Sequence, residues 1–142
     1  MDQSVDHLQR LRHELQHPPF HGFLRPEAVS VDPAAGVVVI RLPYRLEFRR
    51  AADAPDYHGG VLAALIDLAA HAAIAVQAGR MVPTIDLRID YLRPAPGVDL
   101  TATAKVLRLG RSIGRADVEV VGESPSLLAV GRGTFSTLRD VS

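Results

Sequence analysis

The sequence predicts an α+β domain: a curved antiparallel sheet of about five to six strands wrapped around one long helix. Three observations carry this. The longest nearly apolar run, His58 to Ala78 (HGGVLAALIDLAAHAAIAVQA), holds eight alanines and no proline, and alanine is the best intrinsic helix former. From Thr84 to Leu92 (TIDLRIDYL) apolar and polar residues alternate, the mark of a half-buried strand. Beyond it come further strand-like runs separated by tight turns, the pattern of an antiparallel meander.

Taken in order, Ser4 to Gln16 carries Val5, Leu8, Leu11 and Leu15 at spacings of three and four. This predicts an amphipathic helix with Ser4 as N-cap, ended by Pro18-Pro19. Phe20 to Leu24 reads as a short apolar turn plugging the core. Ala28–Asp32 and Val37–Leu42 form a hairpin across the turn Asp32-Pro33-Ala34-Ala35-Gly36. Pro43 to Arg50 continues the second strand, with Leu46 and Phe48 alternating against charges. Arg49 to Tyr57 is a loop leading into the long helix. That helix, about 20 residues or roughly 30 Å, ends before Gly79, a residue at ease with positive φ. It is apolar on nearly all sides, so it is a core helix or a membrane span. Weakly hydrophobic alanine, together with Asp67 and His71, makes it a core helix. In the next strand Ile85, Leu87, Ile89 and Tyr91 share one face, and Asp86, Arg88 and Asp90 the other. Asp99–Leu109, Ile113–Val121 and Leu127–Leu138 complete the meander, Gly110-Arg111-Ser112 being one of its turns. Gly131 and Gly133 mark a bulge or a close backbone approach in the last strand. The whole chain, 1–142, is expected to be one domain, with 1–24 a helix and plug and 25–138 the core.

Composition narrows the function. Sixteen basic residues balance sixteen acidic ones. Nothing there favours a nucleic acid or an anionic membrane, and a net charge near zero favours self-association. Lys105 is the sole lysine among the cations; the rest are arginines, whose forked geometry suits phosphate or carboxylate. The absence of cysteine excludes disulfides, thiolate metal sites and a cysteine nucleophile. His13 and His17 lie at i, i+4 without an acidic partner motif and read as surface residues, so no metal site is expected. MDQSVDHLQR has no signal-peptide core, and a cytoplasmic protein is expected.

One residue conflicts with this simple picture: Asp67, a carboxylate inside the oily helix. Burying a charge is costly unless it is paired, and such costs are tolerated at functional sites. The structural alternative is an i, i+4 pair with His71.

The run HGGVLAALIDLAAHAA resembles the HGG-x6-D signature of the PaaI-type acyl-CoA thioesterases, members of the hotdog-fold superfamily. PTIDLRIDYLRPA resembles that family's next strand, and RLGRSIGRADVEV its basic turn and following strand. The resemblance covers roughly Arg25 to Leu138. It implies hydrolysis of an acyl-CoA thioester, with coenzyme A entering as part of the substrate and no other cofactor. It implies Asp67 as general base or nucleophile and the amide of Gly59 as oxyanion donor. Gly60 adds a second donor at the bare helix start. His58 contacts substrate or shapes the loop, and Thr84 holds water or substrate. Arg108, Arg111 and Arg115, around Gly110, are candidates for the coenzyme A phosphates. Gly59 and Asp67 lie about 12 Å apart along one helix axis at 1.5 Å per residue. The family's arrangement answers this by pairing two protomers with continuous sheets and antiparallel helices. A homodimer with composite sites is therefore expected, paired further into a tetramer. One departure stands out: where several relatives carry an asparagine six residues before the histidine, this chain has Ala52, with Asp53 and Asp56 nearby. That motivates a second reading, a non-catalytic acyl-ligand binding protein. A hydratase of the same fold, using Asp53 and His58, is the third.

Overall fold

The computed structural model describes residues 6–139. Two short helices, α1 (His7–Gln16) and α2 (Pro19–Leu24), precede the hairpin β1 (Glu27–Asp32) and β2 (Val37–Leu42). A small hairpin, β3 (Arg49–Ala51) and β4 (Ala54–Tyr57), leads into the long helix α3 (Gly59–Ala78). Then follow β5 (Thr84–Tyr91), β6 (Leu100–Leu109), β7 (Ile113–Val121) and β8 (Leu127–Ser136). The main sheet is antiparallel, in the order β1-β2-β6-β7-β8-β5. β5 pairs with β8 rather than β6, so the link after Tyr91 crosses the sheet and β5 becomes an edge strand.

Alternation builds the core. Val38, Ile40 and Leu42 of β2, Ala102 and Ala104 of β6, and Ala116, Val118 and Val120 of β7 are buried. They face Leu65, Ile66, Ala69 and Ala70 of α3 in one cluster. α1 lies across the other side of α3 and buries Leu11 and Leu15. α3 is therefore covered on both sides, which explains a helix apolar nearly all round. By length and composition it could cross a membrane, yet most of it is buried within the fold. Close approach accounts for the two strand glycines. A Cβ on Gly131 would lie 2.5 Å from Ile66 Cγ2 of α3, and one on Gly133 2.6 Å from the Phe135 ring and 3.0 Å from Ala70 Cβ of α3. The β5–β8 and β7–β8 ladders keep register at both positions, so close approach, not a bulge, is the reason.

Four expectations change. Ser4 lies outside the described residues; the N-cap of α1 is Asp6, whose carboxylate accepts from the Gln9 amide at 3.1 Å. Phe20–Leu24 belongs to a short helix, with Pro19 at its first turn and Arg25 closing it in the left-handed region at φ 57°. Only Leu24 is buried there, while Phe20 and Phe23 are exposed. Pro43–Arg50 does not extend β2. The chain turns because the Tyr44 amide is taken by Asp99 Oδ1 at 2.7 Å, and the Arg45 guanidinium sits over Phe48, 4.5 Å from the ring centroid. Arg49–Tyr57 forms the β3–β4 hairpin, not a loop.

Candidate active site

The start of α3 is built by its cap. His58 is the N-cap in extended conformation, and its Nδ1 accepts from the Gly60 amide at 2.8 Å. That bond places the ring proton on Nε2. The Val61 amide donates to the His58 carbonyl at 3.0 Å. Of the two glycine donors expected from the sequence, Gly60 is thus satisfied by the imidazole. The Gly59 amide has no acceptor among the described residues, and the dipole of a 20-residue helix lies behind it.

Tyr91, at the far end of β5, completes this end. Its hydroxyl donates to the Gly59 carbonyl at 2.7 Å. A Cβ on Gly59 would stand 3.4 Å from the ring edge. A cavity of about 300 Å³ opens beside it, lined by Tyr57, Leu62, Tyr91 and Arg93 among others. The sequence reading missed Tyr91 because period-two alternation grouped it with Ile85, Leu87 and Ile89 on one face of β5. In fact Leu87 and Ile89 are half-buried, while Ile85 and Tyr91 are exposed. The available signal was its place at the end of an edge strand, where an aromatic residue has no core to enter.

Asp67 lies two turns into α3 and is half-buried. Its Oδ1 accepts from the Thr84 hydroxyl at 3.0 Å, which holds the carboxylate against the start of β5. Oδ2 has no partner among the described residues. One turn on, His71 does not bond to Asp67. Its Nε2 accepts from the Val82 amide at 3.3 Å, and its ring meets Phe135 edge-on. Burial lowers the His71 pKa, against the opposing pull of Glu14 and Asp67, so the ring is held in its neutral, accepting form.

The structure brings Asp67 and Thr84 together, and separately His58 with the two glycines. It does not bring one group to the other. Gly59 and Asp67 remain about 12 Å apart along the helix axis.

The basic turn forms a third group. Arg108 and Arg115 are direct cross-strand neighbours, and the register shifts between Val106 and Arg108. With Arg111 they line a cavity of about 660 Å³. Opposed like charges cost stability unless an anion answers them. Gly110 serves the turn itself: its amide donates to the Ile113 carbonyl at 2.9 Å, and its carbonyl accepts from the Thr137 hydroxyl at 2.6 Å. Thr84, Phe135, Gly114 and Leu109 form one row across four strands. The arginine turn therefore shares the Asp67 end of the sheet, about 14 Å from Thr84 at 4.8 Å per strand.

The remaining candidates separate. Ala52 is exposed in the β3–β4 turn, where its carbonyl accepts from Arg49 at 2.9 Å. Asp53 is exposed in the same turn and makes no bond to His58; Asp56 pairs loosely with Arg50 at 3.5 Å. His13 and His17 stack on each other at 5.1 Å. Among the described residues no three histidine or carboxylate groups cluster as metal ligands.

Residues 54–129, more than half of the chain, match the model of the thioesterase superfamily. A Halobacterium salinarum protein named "putative esterase" is 40% identical over 132 residues, covering 84% of this chain and 87% of that one. The medium/long-chain acyl-CoA thioesterase YigI of Escherichia coli is 37% identical over 93 residues, 55% of this chain and 60% of its own. The solved PaaI protein of Escherichia coli, from the phenylacetic acid degradation operon, superposes with a TM-score of 0.81 at 27% identity, over 94% of each chain. The six-stranded sheet around α3 is the hotdog fold, and the chain belongs to the thioesterase superfamily.

Proposed function

We propose that this protein hydrolyses an acyl-CoA thioester to the free acid and coenzyme A, at composite sites formed by two antiparallel α3 helices. The observation that carries this is the split site. Asp67, held by Thr84, and the free amide of Gly59 are each half of a hydrolytic centre. They lie too far apart on one helix to act on one carbonyl. Two protomers pairing along their β5 edges would set the Gly59 of one against the Asp67 of the other. Several features support that edge: its backbone groups are unpaired on one side, Ile85 and Tyr91 are exposed on it, and unpaired edges invite pairing.

In this reading the Gly59 amide receives the thioester carbonyl oxygen as it becomes an oxyanion. Such a preorganised donor is worth roughly 3 kcal/mol in the transition state. Asp67 either takes a proton from the attacking water or attacks the carbonyl carbon itself. In both routes the C–S bond breaks, the thiol leaves as coenzyme A, and water supplies the oxygen of the acid. Protein groups alone supply this chemistry, without a metal or redox cofactor. Arg108, Arg111 and Arg115 face the phosphates of coenzyme A.

A panel of acyl-CoAs with detection of released thiol tests the proposal. Asp67→Ala is expected to lower kcat by at least a hundredfold with the oligomer intact; unchanged turnover in that variant would overturn the role of Asp67. The non-catalytic reading rests on Ala52, which offers no side-chain amide to orient water. It predicts binding across the panel with no thiol released by the wild-type protein.

A further inference from the structure

We infer that His71 is the positioning residue of this site: by holding the Val82 amide, it fixes the short segment that presents the Thr84 hydroxyl to Asp67. The inference rests on the Asp67–Thr84 reading above and extends it to a residue outside the reacting groups.

Two side chains one helical turn apart on α3 meet two groups two residues apart on the chain entering β5. Asp67 takes the Thr84 hydroxyl at 3.0 Å; His71 takes the Val82 amide at 3.3 Å. The spacings match: four helical residues rise about 6 Å and two extended residues about 6.8 Å. The two rungs therefore tie strand and helix at one register. Pro83 lies between them. It has no amide hydrogen, and it restricts Val82 to extended backbone. Its carbonyl accepts from the Ser136 amide at 2.8 Å. The Val82 amide is left for α3 to satisfy, and Val82 is completely buried. Without an acceptor at His71 that donor would be buried and unmade, and the segment would shift, carrying Thr84 away from the carboxylate.

His71 suits this task. Glu14 of α1, His21 of α2 and Asp67 of α3 are the titratable groups around it. Phe135 packs against its ring at 5.8 Å. Burial keeps the imidazole neutral, and an acceptor at Nε2 requires its proton on Nδ1. A leucine here would preserve packing and remove only the acceptor. A glutamine would place its amide oxygen near the Nε2 position.

The test uses the acyl-CoA that the wild-type protein turns over best. His71→Leu is expected to lower kcat about tenfold, a misplacement effect, with KM within about twofold, while His71→Gln recovers most of the loss. In a Thr84→Val background His71→Leu should cost nothing further, because the hydroxyl it positions is gone. Unchanged kcat in His71→Leu would overturn the inference, as would a loss that adds in full to that of Thr84→Val. Should His71→Leu not fold, His71→Asn against His71→Gln gives the same comparison. Asparagine reaches only the Nδ1 position, so equal kcat in those two variants would overturn it. Asp67→Ala runs alongside: full activity there would overturn the site itself, whereas an inactive Asp67→Ala with an indifferent His71→Leu overturns the positioning role alone.

Discussion

At the scale of single residues, the proposed chemistry turns on which backbone amide is free. The sequence motif offers two glycines, but His58 Nδ1 occupies the Gly60 donor and leaves Gly59 as the oxyanion candidate. Backbone donors resist mutation, yet this one can be deleted. Gly59 is the first helical residue and His58 before it is extended at φ −63°, ψ 133°. Proline is favoured at that position and requires an extended predecessor. Gly59→Pro is therefore expected to fold while losing about 10²–10³ in kcat, the usual cost of one oxyanion donor. Gly59→Ala keeps the amide and brings a methyl to 3.4 Å from Tyr91, an ordinary contact, so it should retain most activity. Steady-state rates of the two variants, with circular dichroism as the fold control, decide the matter. Asp67, Gly59 and Thr84 stand out as candidates from the motif and its spacing alone. That His58 takes the Gly60 amide and leaves that of Gly59 open does not, because a histidine side chain folding back onto its own helix start has no linear signature.

At the scale of elements, strands and the long helix follow from hydrophobic period and alanine content, and they stand close to where those patterns put them. What the pattern could not supply is the route between elements. The stretch after Leu42 reads as more strand because alternation is local, whereas its fate is set by Asp99, 55 residues away along the chain from Tyr44. Asp99 accepts from the Tyr44 amide and also pairs with Arg41, and these contacts hold its pKa below the ordinary 3.8. A carboxylate lowered in the fold stabilises above its unfolded pKa and loses that stability as pH falls through the folded one. Asp99→Asn keeps an acceptor for Tyr44 but loses the charge. It is expected to cost about 0.5 kcal/mol at pH 7, small because solvent screens so exposed a pair. The gap from wild type should close below pH 3.8. Thermal melts from pH 7 to pH 3 measure it, and a gap that widened in acid would contradict the assignment.

At the scale of the whole molecule, a sequence states its own residues but not which copy of the chain they serve. The 12 Å between Gly59 and Asp67 along one helix is visible from spacing alone; the β5 edge, along which the proposed dimer would pair, is visible only once the sheet order puts β5 outermost. Composite sites make a prediction that self-contained sites do not. Asp67→Ala and Gly59→Pro are each expected to be inactive alone. When equal amounts are unfolded, mixed and refolded together, half of the dimers should be hybrids. In a hybrid, the first protomer's intact Gly59 meets the second protomer's intact Asp67, while the opposite site carries both lesions. Activity should return to about a quarter of the wild-type value for random pairing. Sites confined to one protomer would each keep a lesion in every dimer, and the mixture would stay as inactive as its parents. Measuring thiol release against mixing ratio adds a second constraint: the recovered rate should peak at equal proportions and fall to zero at either end.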